Sequence, residues 1–295
     1  MTNTGGKAAE RYELHGIHAT LEGRPVLREI GFTLEAGAWT SLIGHTGAGK
    51  STLAKLLKGL ISQFEGQYRI GGRPAARDRK GRMRVVPEIG FVFQYPEHQI
   101  FETTVQRELS FALRARGDSA RAIDEAISRI LPQFGLDEEM LPQSPLRLSG
   151  GQKRRLAIAS VLIAQPRLLI LDEPTAALDP LSRRALLDLL KGWQKREGGS
   201  ILFISHNMDD AAEYSDRVLV LEQGRLLGHF GADELFLRRA DLLERAGLAL
   251  PEPIRLLRLV EELSGAPIPV ESCREEEIWP AVQAVWRARG NKDER

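Results

Sequence analysis

The nine residues Gly44, His45, Thr46, Gly47, Ala48, Gly49, Lys50, Ser51 and Thr52 constrain this chain more than any other stretch. They match the pattern G-x-x-x-x-G-K-[ST]. They follow a short apolar run, residues 39–43, and open a helical stretch from 50 to about 60. A strand, a glycine-rich loop and a helix in that order make an anion cradle. The glycines let successive backbone N–H groups turn inward, and the helix start adds the positive end of its dipole. In such a loop Lys50 reaches the β- and γ-phosphates of a nucleotide, and Ser51 is a ligand for Mg²⁺.

Two further segments bear on the same chemistry. Residues 168–174, Leu-Leu-Ile-Leu-Asp-Glu-Pro, are four apolar residues followed by two acids. A buried strand ending this way beside a phosphate loop places Asp172 to hold Mg²⁺ and Glu173 to polarise an attacking water. Residues 148–152, Leu-Ser-Gly-Gly-Gln, precede another helical stretch. Ser149 and Gln152 have the spacing of a capping box, which accounts for those two residues. It leaves Gly150 and Gly151 unexplained, since glycine weakens a helix. Glycines at a helix start admit close approach to free N–H groups, so a second phosphate-contacting surface is expected there, one that serves a second subunit.

Short apolar strands alternate with helices through most of the 295 residues, which implies an α/β core with a parallel sheet. Residues 104–164 are mostly helical by periodicity and interrupt that core, so they read as an inserted subdomain. Residues 67–86 read as irregular and basic, and the six Lys/Arg between Arg73 and Arg84 as a solvated loop. Segments 217–221 and 225–230 read as a hairpin around Gln223-Gly224. After Gly231 helices are joined by Pro/Gly segments. In the last of them Ile278, Val282, Val285 and Trp286 share one face, with Pro280 in the first turn. Residues 1–10 are small and polar and are expected to fray. Lys plus Arg total 41 against 40 acids, a net charge of +1, so no global field draws the chain to nucleic acid. A single cysteine, Cys273, excludes an internal disulfide and reads as a bystander. No apolar run approaches the roughly 20 residues of a spanning helix, and the N-terminus has no signal core, so export is not expected and any membrane role works through a partner.

Taken together, these motifs resemble the nucleotide-binding subunits of ABC transporters over about residues 11–230. The resemblance implies a P-loop NTPase fold of the ABC type: an ATP-binding domain over 11–231, a helical subdomain over about 95–165, and a small helical dimerisation domain over 232–295. It implies ATP and Mg²⁺ as cofactors, with two such subunits sandwiching two ATP molecules so that the phosphate loop of one faces the signature of the other. By position, Gln94 matches the glutamine that contacts Mg²⁺ and water, and Ser149, Gly150, Gly151 and Gln152 match the signature. Asp172 and Glu173 match the acidic pair, Asp179 the interface loop, and His206 the switch histidine that contacts the γ-phosphate. Leu21 stands where the family usually stacks an aromatic ring on adenine, with Tyr12 or His18 as candidate substitutes.

The segment 93–105, FQYPEHQIFETTV, and the stretch 240–253 are similar to the second ATPase of energy-coupling factor (ECF) transporters, importers of vitamins and transition-metal ions. That similarity implies a different, homologous ATPase as partner, a transmembrane coupling protein, and a membrane subunit that binds the cargo. It implies a peripheral location on the cytoplasmic face of the membrane and no nucleic-acid partner. Glu97 is the candidate to meet arginines of the coupling protein, and the helix carrying Val105, Leu109, Phe111 and Leu113 is expected to be mainly subdomain core. Two rivals share the ATP chemistry: the homodimeric ATPase of a binding-protein-dependent importer, and a soluble ABC protein outside transport. The span from Lys50 to Ser149 is too short for the long coiled coil of repair types, and a single cassette argues against translation types.

Overall fold

The computed structural model describes residues 10–293; of the ten residues expected to fray, 1–9 lie outside it and Glu10 is paired with Arg167. Six strands form the central sheet: β3 (Trp39–Ile43), β6 (Ile89–Val92), β7 (Leu168–Asp172), β8 (Ser200–Ile204), β9 (Arg217–Glu222) and β10 (Arg225–Gly231), in the order β10-β9-β3-β8-β7-β6. Pairings among β9, β3, β8, β7 and β6 are parallel, and β10 closes antiparallel on β9. The β9–β10 turn falls on Gln223 and Gly224, both with positive φ, the geometry of a tight two-residue hairpin.

A second, antiparallel sheet runs β2-β1-β4-β5. Its strands are β1 (Tyr12–Leu21), β2 (Arg24–Leu34), β4 (Glu65–Ile70) and β5 (Arg73–Pro74). The stretch expected to be irregular therefore contains two strands. Only Tyr68 of β4 is buried, so the strand lacks the apolar alternation that marks a half-buried one. The rest of the basic run is an exposed loop turned around Asp78, whose carboxylate accepts the N–H groups of Lys80 and Arg82.

Alternation decides which way each central strand faces. On β7, Leu168 and Ile170 pack toward the second sheet and α1 (Lys50–Lys58), while Leu169 and Leu171 pack toward the helices on the other side. On β8, Leu202 and Ile204 face one way and Ile201 and Phe203 the other. Strands buried on both faces read as unbroken apolar runs, which is why they were visible in the sequence. The second layer holds α5 (Pro180–Glu197) and the inserted block of α2 (Val105–Arg116), α3 (Ala120–Ile130) and α4 (Gly150–Leu162).

A third core joins the C-terminal helices to the sheet. Ile43, Val218 and Val220 pack with Met208 and Ala211 of α6 (Met208–Tyr214). Leu243 of α7 (Ala240–Arg245), Ile254 and Leu257 of α8 (Glu252–Ser264), and Ile278 and Val282 of α9 (Glu275–Asp293) complete it. Residues 232–293 thus share a core with the nucleotide domain. On α9, Ile278 and Val282 are buried and Val285 packs beside them, but Trp286 is 59% exposed and Trp279 54%. Eight residues after Ile278, Trp286 is rotated about 80° around the helix and leaves the buried face. Pro280 lies beyond the first turn, on an exposed side of the helix.

Candidate active site

The loop between β3 and α1 is shaped by its glycines. Gly44 has φ +151, and a Cβ there would fall 2.1 Å from the Leu221 carbonyl oxygen, so no side chain fits. Gly49, at φ +103, packs against Leu27 and the Val26 carbonyl. The buried Lys50 donates from Nζ to the carbonyls of Gly44 (2.6 Å) and His45 (2.9 Å), which places the ammonium at the centre of the loop. Burial pulls its pKa down, opposed by Glu173 and Asp172. Thr46 and Gly47 are exposed at the rim, Ala48 is buried beneath, and Thr52 is half-buried on α1.

The acidic strand end arrives beside this loop. Ser51 Oγ donates to Asp172 Oδ1 at 3.0 Å. Burial pushes the Asp172 carboxyl up, while Ser51 opposes the shift. The next residue, Glu173, has φ +53, a left-handed backbone that costs a β-carbon-bearing residue strain. Its N–H is tied to the Ile204 carbonyl of β8 at 3.1 Å. The carboxylate is held from both sides: Gln94 Nε2 donates to Oε2 at 3.0 Å, and His206 Nε2 lies 2.6 Å from Oε1. Gln94 follows β6, Glu173 follows β7 and His206 follows β8, three neighbouring parallel strands. The three residues expected to do chemistry therefore meet at the carboxyl ends of the sheet, the usual place for a ligand in an open parallel α/β fold.

The second motif lies on the inserted block. Ser149 caps α4, accepting from the Gln152 N–H at 3.2 Å, and the Gln152 side chain accepts from the Ser149 N–H at 2.9 Å. The capping box is thus present. A Cβ added at Gly150 or Gly151 would meet nothing within 4 Å, and neither residue has positive φ. This chain's own packing does not demand these glycines. Gly151 borders a groove of about 480 Å³ together with Leu178, Leu181 and Ser182. Nearby, the exposed Asp179 caps α5 by accepting the Ser182 N–H at 3.0 Å, and that bond lowers its pKa.

Two residues outside the motifs brace this region. Arg154 on α4 pairs bidentately with Glu97 at 3.2 Å and donates to the Ala176 carbonyl at 3.0 Å. Glu97 is therefore already engaged inside the chain, and it does not stand free to meet a partner's arginine. Burial raises its pKa, but the Arg154 bond and its other partners outweigh this and hold it below the usual carboxylate range. Val105, Leu109 and Leu113 are buried core as expected, whereas Phe111 is 44% exposed and stacks edge-on with Phe101 at 4.8 Å. These two rings and Phe93 line a groove of about 400 Å³ beside Gln94. At the adenine position, Leu21 is exposed at the end of β1 and His18 is exposed; Tyr12 is fully buried and is excluded as a substitute. Cys273 is buried and donates to the Ala212 carbonyl, a structural thiol.

Comparison with known proteins gives consistent relatives. A family model described as ABC transporter matches residues 27–176. The energy-coupling factor transporter ATP-binding protein EcfA2 of Bacillus thuringiensis is 36% identical over 294 residues, 99% of each chain. Its counterpart from Symbiobacterium thermophilum is 41% identical over 268 residues, 90% of this chain and 92% of that one. Among solved structures, cbiO1 of Clostridium perfringens, part of the ABC transporter complex cbiONQ, superposes with a TM-score of 0.71 at 31% identity. That match covers 84% of this chain and 98% of cbiO1. An ATP-binding cassette solved as a dimer with ADP and Pi shares the fold, with a TM-score of 0.63 at 23% identity over 75% of this chain and 98% of that one.

Proposed function

Because this chain belongs to the ABC transporter family, among the energy-coupling factor ATP-binding proteins, we propose that it is the ATP-binding and ATP-hydrolysing subunit of an ECF-type importer. One observation carries the reading of the site: Gln94, Glu173 and His206 converge beside the Ser51–Asp172 pair and the Lys50 cradle. Glu173 is the general base. Gln94 and His206 aim its carboxylate at the attacking water, and the phosphate loop from Gly44 to Thr52 orients the γ-phosphate through its N–H groups and Lys50. The paired oxygens of Ser51 and Asp172, with Gln94 on the neighbouring Glu173, suit a hard cation that takes further oxygen ligands from phosphates. These three residues would hold Mg²⁺, which when bound neutralises charge on the phosphates.

The rest of the catalytic apparatus comes from a second ATPase subunit. The signature Ser149–Gln152 and the interface residue Asp179 serve that partner's nucleotide, which is why Gly150 and Gly151 face open space. The partner is a homologous ATPase of different sequence, and residues 232–295, with Trp279 and Trp286 exposed, form the dimerisation domain. Among the described residues no helix is long and apolar enough to cross a membrane. Attachment to the cytoplasmic face is through a transmembrane coupling protein seated in the groove of Phe93, Phe101 and Phe111, and a separate membrane subunit binds the vitamin or metal-ion cargo.

Glu173→Gln tests the chemistry. In the assembled complex it should bind ATP with near-normal affinity while hydrolysis falls by about 10²-fold or more. Turnover at the wild-type rate would remove Glu173 as the base. Purification from membranes through a tag on this chain should bring down a homologous ATPase and a multi-spanning protein. Recovery of homodimers alone would overturn the heterodimer.

A further inference from the structure

The stretch 240–253 is prominent in the sequence, yet no role at the nucleotide site has been given to it. After α7 the chain turns sharply. Gly247 N–H donates to the Glu244 carbonyl at 2.9 Å and Leu248 N–H to the Leu243 carbonyl at 2.8 Å. Gly247 has φ +64, and a Cβ placed on it would lie 2.5 Å from His45 Nε2 and 3.3 Å from Cε1. The imidazole of the phosphate loop thus rests on the bare face of this turn. The left-handed backbone favours glycine at position 247, and the exposed His45 ring is the group that would have to move for a Cβ there.

His45 itself is exposed, and its backbone belongs to the lysine cradle. Its carbonyl accepts from the Ala48 N–H at 3.1 Å and from Lys50 Nζ at 2.9 Å, so the path of its backbone sets where the lysine is held. Ile43, two residues earlier, is fully buried in the same core as Leu243, Ala246 and Ile254. The loop's entry therefore meets the C-terminal segment twice, once through the core at Ile43 and once through the ring of His45. A parallel tie exists at the switch residue. Asp209, three residues past His206, accepts the Glu252 N–H at the start of α8 at 2.6 Å, and Met208 lies in the shared core.

We propose that Gly247 is a positioning residue for nucleotide binding: by presenting no side chain it seats the His45 ring, and so sets the loop carbonyls that hold Lys50. The helical segment after Gly231 is then part of the framework of the ATP site as well as a dimerisation surface. This inference rests on the nucleotide reading of the loop given above.

The test is ADP binding to the full-length chain by titration calorimetry, with melting temperature measured in parallel. Gly247→Ala should raise the Kd for ADP about tenfold, within the range for residues in direct contact. In a His45→Ala background the same substitution should change the Kd by less than about twofold, because no ring is left to displace. The loss of melting temperature from forcing alanine into a left-handed conformation should persist in both backgrounds. Gly247→Asn tolerates that conformation better while keeping a Cβ, so it should spare the melting temperature and still weaken ADP. Unchanged affinity in Gly247→Ala, or an equal loss in both backgrounds, would overturn the proposal. A wild-type chain that fails to bind ADP would overturn the nucleotide reading, and this inference with it.

Discussion

At the residue scale, the site is built from side chains whose own packing does not explain them. Glu173 is held in a left-handed backbone by strands on either side, and Gly150 and Gly151 face nothing. The second case yields a clean separation of fold from function. Gly151→Ala adds a methyl to open space in the first turn of α4, where alanine is the better helix former by up to about 1 kcal/mol. Its melting temperature should equal or exceed wild type, while ATPase activity of the assembled complex falls by tenfold or more. Measuring both on one preparation decides the matter, and full activity would mean that no partner approaches there. Residues of this kind were legible in the sequence because each sits in a local pattern whose spacing carries the chemistry. Gly247 was not, because its partner His45 is brought to it by the tertiary fold alone, and a lone glycine after a helix reads as an ordinary cap.

At the scale of elements, Arg154 is a polar tie between the inserted block and the nucleotide domain through the Ala176 carbonyl. It joins α4 to the short turn at Pro96–Gln99 and to the loop after Glu173. Glu97→Ala should cost about 1–2 kcal/mol, as expected for a hydrogen-bonded ion pair that is partly shielded. Adding Arg154→Ala should cost less than the sum of the two, as read by denaturant unfolding of both single variants and the double. The pair also carries a pH signature. The folded-state pKa of Glu97 is lowered, so its contribution is present above the usual carboxylate range and fades as pH falls through the lowered value. Phe101→Asp belongs at this scale too. The ring is 63% exposed, so ATP binding by the isolated chain should be unaffected while co-purification with the membrane protein is lost. The helices here were readable from periodicity. The strands β4 and β5 were not, since a strand with one buried residue in six has no pattern to read.

At the scale of the whole molecule, stability depends on how the three cores are joined. Asp210 is buried on α6, a helix of the third core, and lies 3.4 Å from Arg183 of α5. Burial pushes its carboxyl up to about 6, with Arg183 opposing. Between about pH 4 and pH 6 the folded state then binds more protons at this residue than the unfolded state does, so this group's contribution declines as pH rises through that window. Asp210→Asn removes the dependence. Its melting temperature relative to wild type should climb from pH 4.5 to pH 7, and a constant difference would show that the residue does not titrate there. The layered α/β architecture was visible from alternating strands and helices. The union of the C-terminal helices with the sheet through Ile43 was not, because Ile43 belongs by sequence to a strand whose other residues face elsewhere. The parallel pairing of β3 has one more consequence, for synthesis. Trp39 aligns with Ile201 and Thr40 with Arg217, so the strand that launches the phosphate loop has no lateral neighbours until β8 and β9 have been made. Such distant pairings form late and slowly. A nascent chain that has not yet reached β9 is therefore an idle enzyme, and consumption of fuel must wait for it.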